Sequence, residues 1–146
     1  MKQESYELFK SAGIKDITDV LSKELNSRNE QAFWGDKVVP FTEAILSVLI
    51  PLRDAKQLYT PEGISVDELT PELFFKWNDF VSLKSLAFKV QRSNKAEGES
   101  KTDIDLKILG DYLSHYNVNL EDELLDFPIS HYNLHQGVSN VIKSLL

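Results

Sequence analysis

The sequence has no cysteine, one methionine, three histidines and six glycines in its 146 residues. The absence of cysteine removes a disulfide scaffold, a thiolate nucleophile, a thiolate zinc site and an iron–sulfur cluster together. Gly98 and Gly110 stand alone, and no G-x-x-x-x-G-K, G-x-G-x-x-G or G-x-S-x-G run occurs. The chain therefore lacks the glycine-rich nests that cradle phosphate and the elbow that presents a serine nucleophile. No stretch reaches the roughly 18 unbroken apolar residues of a membrane helix. The longest apolar run, Ala44 to Leu52, is broken by Ser47 and Pro51 and ends at Arg53-Asp54. The opening Met1-Lys-Gln-Glu-Ser-Tyr6 has no signal-peptide core. These absences lead to the expectation of a soluble, cytoplasmic protein.

What is present is an ordinary core-forming composition, 42% hydrophobic and 27% charged. At this length one domain, residues 1–146, is the expectation, burying roughly 69% of the unfolded chain's surface. Sixteen basic and 23 acidic side chains leave a net charge of −7. That balance disfavours a stand-alone DNA-binding module, whose affinity comes from neutralising phosphates.

Apolar residues recur at helical spacing almost throughout, and no block alternates with period two. Ile14, Ile17, Val20, Leu21 and Leu25 mark a first helix entered through Ser11-Ala-Gly13, with Asp16 and Asp19 near its positive end. Phe33 to Leu52 carries a longer pattern. With Pro40 inside it, the pattern reads either as a long kinked helix or as one starting near Pro40 after a Trp34-Gly35-Asp36 turn. Ser65-Val-Asp-Glu68 has capping-box spacing and predicts a short helix over 65–69. Thr70-Pro71 opens a third major helix carrying Leu73, Phe74, Trp77, Phe80, Val81 and onward to Val90. The polar run 93–102 reads as an exposed mobile loop, after which Asp103 caps a helix with Ile104, Ile108, Leu109, Tyr112, Leu113 and Tyr116. A turn at 117–119, a short acidic helix over 120–126 and, after Phe127-Pro128, a last helix carrying a stripe from Leu134 to Leu146 complete the pattern. The expected fold is all-α, a compact bundle of about five to seven helices with one long mobile loop.

Chemistry is sparse. His131 and His135 share a helical spacing of four, but Tyr132 stands where a zinc protease needs glutamate. They read as surface or helix-start histidines. Glu121, Asp122, Glu123 and Asp126 lack the glycine-centred loop of a calcium site and read as a solvated face. No catalytic, cofactor or metal site emerges. Lys84, Lys89, Arg92 and Lys95 form a local excess of cations with no acid between residues 80 and 96. A solvated helix end complementing the dipole is one reading of them, and a substrate-docking patch is the other.

Three stretches, in order, resemble segments of the type IV coupling proteins, the TraD/TraG-type ATPases, and in particular their IcmO/TrbC-like branch. Ser11-Ala-Gly-Ile-Lys-Asp-Ile-Thr-Asp-Val-Leu21 is similar to the Ser-Gly-x-x-x-x-Leu-x-x-Leu opening. Phe33-Trp34-Gly35-Asp36-Lys37 with the run into Leu52-Arg53-Asp54 resembles the Trp-x-x-Arg-Ala…Leu-Arg-Asp signature. His131-Tyr-Asn-Leu-His-Gln136 is similar to the closing His-Gly-Tyr-x-x-Gln segment. Lys37 replaces the branch's usual arginine, and Pro40, Asn133 and Leu134 also depart from its pattern.

The resemblance implies the all-α domain of a larger, hexameric motor anchored in the bacterial inner membrane, from which this chain would be a piece. The domain would sit on the cytoplasmic side and help recruit relaxase–DNA complexes, effector proteins or their adaptors to a secretion channel. ATP and magnesium would be bound by the parent outside these residues. Both ends of the chain would lie close together, and the fragment would be a monomer without enzymatic activity. Two other classes compete with this one: a free-standing acidic helical adaptor or effector that binds a basic partner, and an unrelated small helical enzyme.

Overall fold

A computed structural model describes residues 2–98, 101–116, 118 and 128–146. Among these residues there are seven α-helices and no strand: α1 (Lys2–Ser11), α2 (Ile14–Ser27), α3 (Gln31–Asp54), α4 (Pro71–Lys76), α5 (Phe80–Lys95), α6 (Lys107–His115) and α7 (Ile129–Leu145). The all-α bundle expected from periodicity is the fold. The expected turn at 117–119 and acidic helix at 120–126 lie outside the described residues, apart from Val118, which is buried.

The bundle is organised around α3. Val38, Phe41, Ala44, Ile45, Leu46, Val48 and Leu49 are all fully buried, so this helix is apolar around most of its circumference and must be covered on several sides. The helices α2, α6 and α7 pack against it, and α4 touches it as well. Its course decides between the two readings left open by the sequence. The helix is continuous from Gln31, and there is no turn at Trp34-Gly35-Asp36. A proline deprives the carbonyl four residues earlier of its donor. Pro40 and Asp36 both lie on the exposed side, where water can satisfy that carbonyl, so the helix runs on.

Other departures from the sequence pattern have equally local causes. The helix α1, too polar to register as a stripe, precedes the first predicted helix and buries Phe9 against Phe74, ring centroids 5.4 Å apart. The predicted helix over 65–69 is absent. There the chain folds back through Gly63 (φ 87°) to pair Tyr59 with Ser65 in an isolated antiparallel bridge. Thr70 does cap α4, its hydroxyl accepting from the Leu73 N–H at 3.1 Å with Pro71 in the first turn.

The predicted helix from Pro71 to Val90 is two helices. The chain breaks at Trp77-Asn78-Asp79, and the Asp79 carboxylate restarts it by accepting from the Val81 N–H at 3.2 Å. At the break the Trp77 indole donates to the Tyr59 carbonyl at 3.1 Å. The loop after α5 begins beyond Lys95, and its base is tied down through Asn94. The Asn94 amide donates to the Ile104 carbonyl (2.8 Å), and its oxygen accepts from the Thr102 hydroxyl (2.6 Å) and the Ile104 N–H (3.1 Å). Helix α6 consequently starts at Lys107 rather than at Asp103. Asp105 accepts from the Lys107 N–H at 2.9 Å, and Ile108 faces out.

Two arginines close helix ends that belong to other elements. Arg53, in the last turn of α3 with its side chain only 8% exposed, donates through Nη1 to the carbonyls of Phe9 (3.0 Å) and Ala12 (2.8 Å) at the end of α1. Arg28, at the end of α2, donates to the Ser144 carbonyl (2.7 Å) near the end of α7. Helix C-termini leave carbonyls without intrahelical partners and carry partial negative charge, and a guanidinium answers both. The first and last helices also meet across α4: Ser5, Tyr6, Phe75, Lys143 and Leu146 line one groove.

Two stability measurements check this account. In urea denaturation, Trp77→Ala should cost roughly 3–5 kcal/mol, because the ring is fully buried. Trp34→Ala should cost about half that or less, since Trp34 is only partly buried. Arg53→Met should cost roughly 2–4 kcal/mol by stranding two carbonyls. Arg28→Met, at an exposed site, should cost about 1 kcal/mol or less. Equal losses for the two arginine variants would contradict the assigned roles.

Candidate docking site

The four cations singled out from the sequence all lie on α5, but they do not form one patch. Successive residues advance about 100° around a helix. Val81, Lys84, Ser85, Phe88, Arg92 and Lys95 therefore fall on one face, where they line an open groove. Lys89 belongs to the neighbouring face. It lines a second depression with Tyr59, Ser65 and Ser93, its ammonium 5.4 Å from the Tyr59 ring centroid. Arg92 lines both and is their common edge.

Lys84 corrects the sequence reading most. It is 5% exposed, at the base of the groove, with its ammonium 6.0 Å from the Phe88 ring centroid, so it is not a freely solvated charge. Arg92 and Lys95 are exposed, and neither takes part in an ion pair among the described residues. Val81, predicted as core, is 58% exposed, and Phe88, which the sequence reading did not single out, is 38% exposed. Phe88 could have been found from its spacing of seven from Val81, off the stripe formed by Leu83, Leu86, Ala87 and Val90. The groove thus joins apolar surface to positive charge, and no carboxylate lines it among the described residues.

His135 is the second correction, whereas His131 stands in the first turn of α7, as the helix-start reading had it. His131 is partly buried and His135 wholly so. His135 is stacked on Phe80 with centroids 4.1 Å apart and lies 4.7 Å from the Phe41 ring. Its Nε2 is hydrogen-bonded to the Asn78 carbonyl, an obligate acceptor, so the ring carries its proton there. Nδ1 must then accept from the Tyr112 hydroxyl, 2.9 Å away. Asn78 in turn donates from Nδ2 to the Ser139 hydroxyl at 2.9 Å. This polar chain fastens the α4–α5 junction to α6 and α7 inside an aromatic shell. Apolar spacing could not disclose it, because the residues come from three separated segments.

Burial drives the His135 pKa down from 6.5 to about 4, against the opposing pull of the Asn78 carbonyl and the Asp79 charge. Burial likewise raises the pKa of Tyr112, whose hydroxyl stays protonated. Among the described residues no three His, Asp or Glu side chains stand close enough to hold a metal ion. None of the helices among the described residues is long and apolar enough to cross a membrane.

The fold and this face define an all-α helical bundle that displays one cationic, apolar-flanked helix surface. None of the family models, curated proteins or solved structures compared with the chain matches it.

His135 generates a pH prediction. Its folded pKa is depressed, so the neutral form is the one that folding favours. The associated stability is present in full above about pH 6.5 and is lost as pH falls towards 4. A shift of this size corresponds to about 3 kcal/mol. Urea midpoints at pH 7.5 and pH 4.5 should therefore fall further apart in the unsubstituted chain than in His135→Gln. An identical pH dependence in both would exclude His135 as the source.

Proposed function

We propose that the chain is the all-α domain of a type IV coupling protein of the IcmO/TrbC-like branch. In this role it recruits secretion substrates, either effector proteins or relaxase–DNA complexes, at the cytoplasmic face of the bacterial inner membrane. The work of the domain is recognition, while ATP and magnesium belong to the motor of the parent protein.

The observation that carries this reading is the Arg53–Ala12 contact. The Leu52-Arg53-Asp54 end of the second resembling stretch bonds directly to the Ser11-Ala-Gly13 start of the first, at 2.8 Å across 41 residues. Residues that carry the resemblance thus hold one structural joint together. The third stretch supplies His135, which packs on Phe41 of the helix whose last turn holds Arg53. Two further features agree with this role: the first and last helices share one groove, as a domain inserted into a larger chain requires, and the α5 face draws on none of that groove's residues.

The test is made in the native gene product. Deleting residues 1–146 from the parent protein should leave its ATP hydrolysis in place and reduce substrate transfer to background. The purified chain should show no saturable ATP binding, because phosphate capture needs a glycine-rich nest or a helix N-terminus with a lysine. Micromolar ATP binding by the chain, or a native reading frame with no nucleotide-binding motor, would overturn the proposal.

A further inference from the structure

We infer that the outward face of α5 is a docking groove for an amphipathic helix of a partner protein whose first turns are acidic, laid antiparallel to α5. The inference rests on the recognition role above and names the chemistry of what is recognised. Along this face the apolar and cationic residues are segregated. Val81 and Phe88 come first along it, while Arg92 and Lys95 follow at the C-terminal end. From Val81 to Phe88 is seven residues, about 10.5 Å of helix axis, which matches two turns of a partner helix with apolar residues at i and i+7. From Phe88 to Lys95 is the same distance again.

A helix laid antiparallel brings its own N-terminus over Arg92 and Lys95. Acidic residues are most at home in a helix's first turns, where they complement its dipole. The partner's acids would then meet the cations, and its apolar residues would cover Val81 and Phe88. Charge complementarity selects the occupant. The groove lining holds cations and no carboxylate among the described residues, in a chain of net charge −7.

A protein helix fits better than a nucleic acid. Few cations are available to neutralise phosphates, the remaining charge of the chain repels them, and exposed valine and phenylalanine offer nothing to a phosphate backbone. Among the described residues the face belongs to one helix and spans about four turns, the footprint of a short peptide rather than a domain.

The test uses fluorescence anisotropy with the 146-residue chain and a labelled helical peptide of about 18 residues. The peptide carries glutamates in its first two turns and leucines at i, i+3, i+4 and i+7 beyond them. Binding is expected, weakening as salt is raised. It should drop at least about tenfold for Arg92→Glu/Lys95→Glu and for Phe88→Ala. The peptide with every glutamate changed to glutamine, and the peptide of reversed sequence, should also bind about tenfold more weakly. Circular dichroism checks that each variant is folded, and if Phe88→Ala is not, the double charge variant decides.

Four results would each overturn the inference: no peptide binding, undiminished binding by the double variant, equal binding of the glutamine peptide, or equal binding of the reversed peptide. A single-stranded oligonucleotide that binds more tightly than the peptide would overturn it as well. Any of these leaves the coupling-protein reading intact, since that reading is decided by the deletion in the parent protein.

Discussion

The constraint on which the structure depends is that α3 has almost no polar side. A helix buried around most of its circumference gains nothing from solvent and is stable only when other elements cover it. The packing of α2, α6 and α7 follows from that requirement. Hydrophobic burial by itself, however, is non-directional: it would accept many rotations and slides of these helices over the same surface. The particular arrangement must be selected by groups that demand geometry.

Those groups sit at identifiable places. Arg53 sets where α1 ends relative to α3, and Arg28 does the same for α7 relative to α2. Inside, His135 admits one orientation, because one ring nitrogen faces a carbonyl and the other a hydroxyl. A buried polar group left without its partner costs more than an ordinary hydrogen bond gains, so the Arg53 and His135 contacts penalise alternative packings more than they add to total stability. Order at the α4–α5 break comes from the same source, with Asn78 and Trp77 each committed to a partner far away in sequence.

The fold class was legible because most of the helices leave a 3.6-residue stripe, and most of those stripes survive as buried faces. Boundaries were less legible wherever a cap competed with a pattern. Trp77 and Phe80 share a helical spacing and are both buried, yet Asp79 between them starts a new helix. Ser65-Val-Asp-Glu68 has the letters of a capping box but is held extended by its pairing with Tyr59. The cationic cluster on α5 was legible as a list of residues and not as a shape: counting charges places Lys84 with Arg92, whereas burial separates them. His135 was misread because histidine spacing says nothing about the tyrosine and asparagine that other segments bring to it. The resemblance picked out Arg53 by its place in a motif, but the role of that residue as a cap became visible only once the end of α1 was beside it.

The Arg53 joint has a consequence for how this sequence can drift. Its partners are main-chain carbonyls, which every amino acid supplies, so the contact makes no demand on the side chains at positions 9 and 12. A conventional ion pair binds two positions together, and a change at one must be compensated at the other. This joint restricts one position and leaves the facing positions free with respect to it. Substitutions can accumulate at the exposed positions near the end of α1 without touching this joint, provided that the backbone path, the arginine and the buried Phe9 are kept.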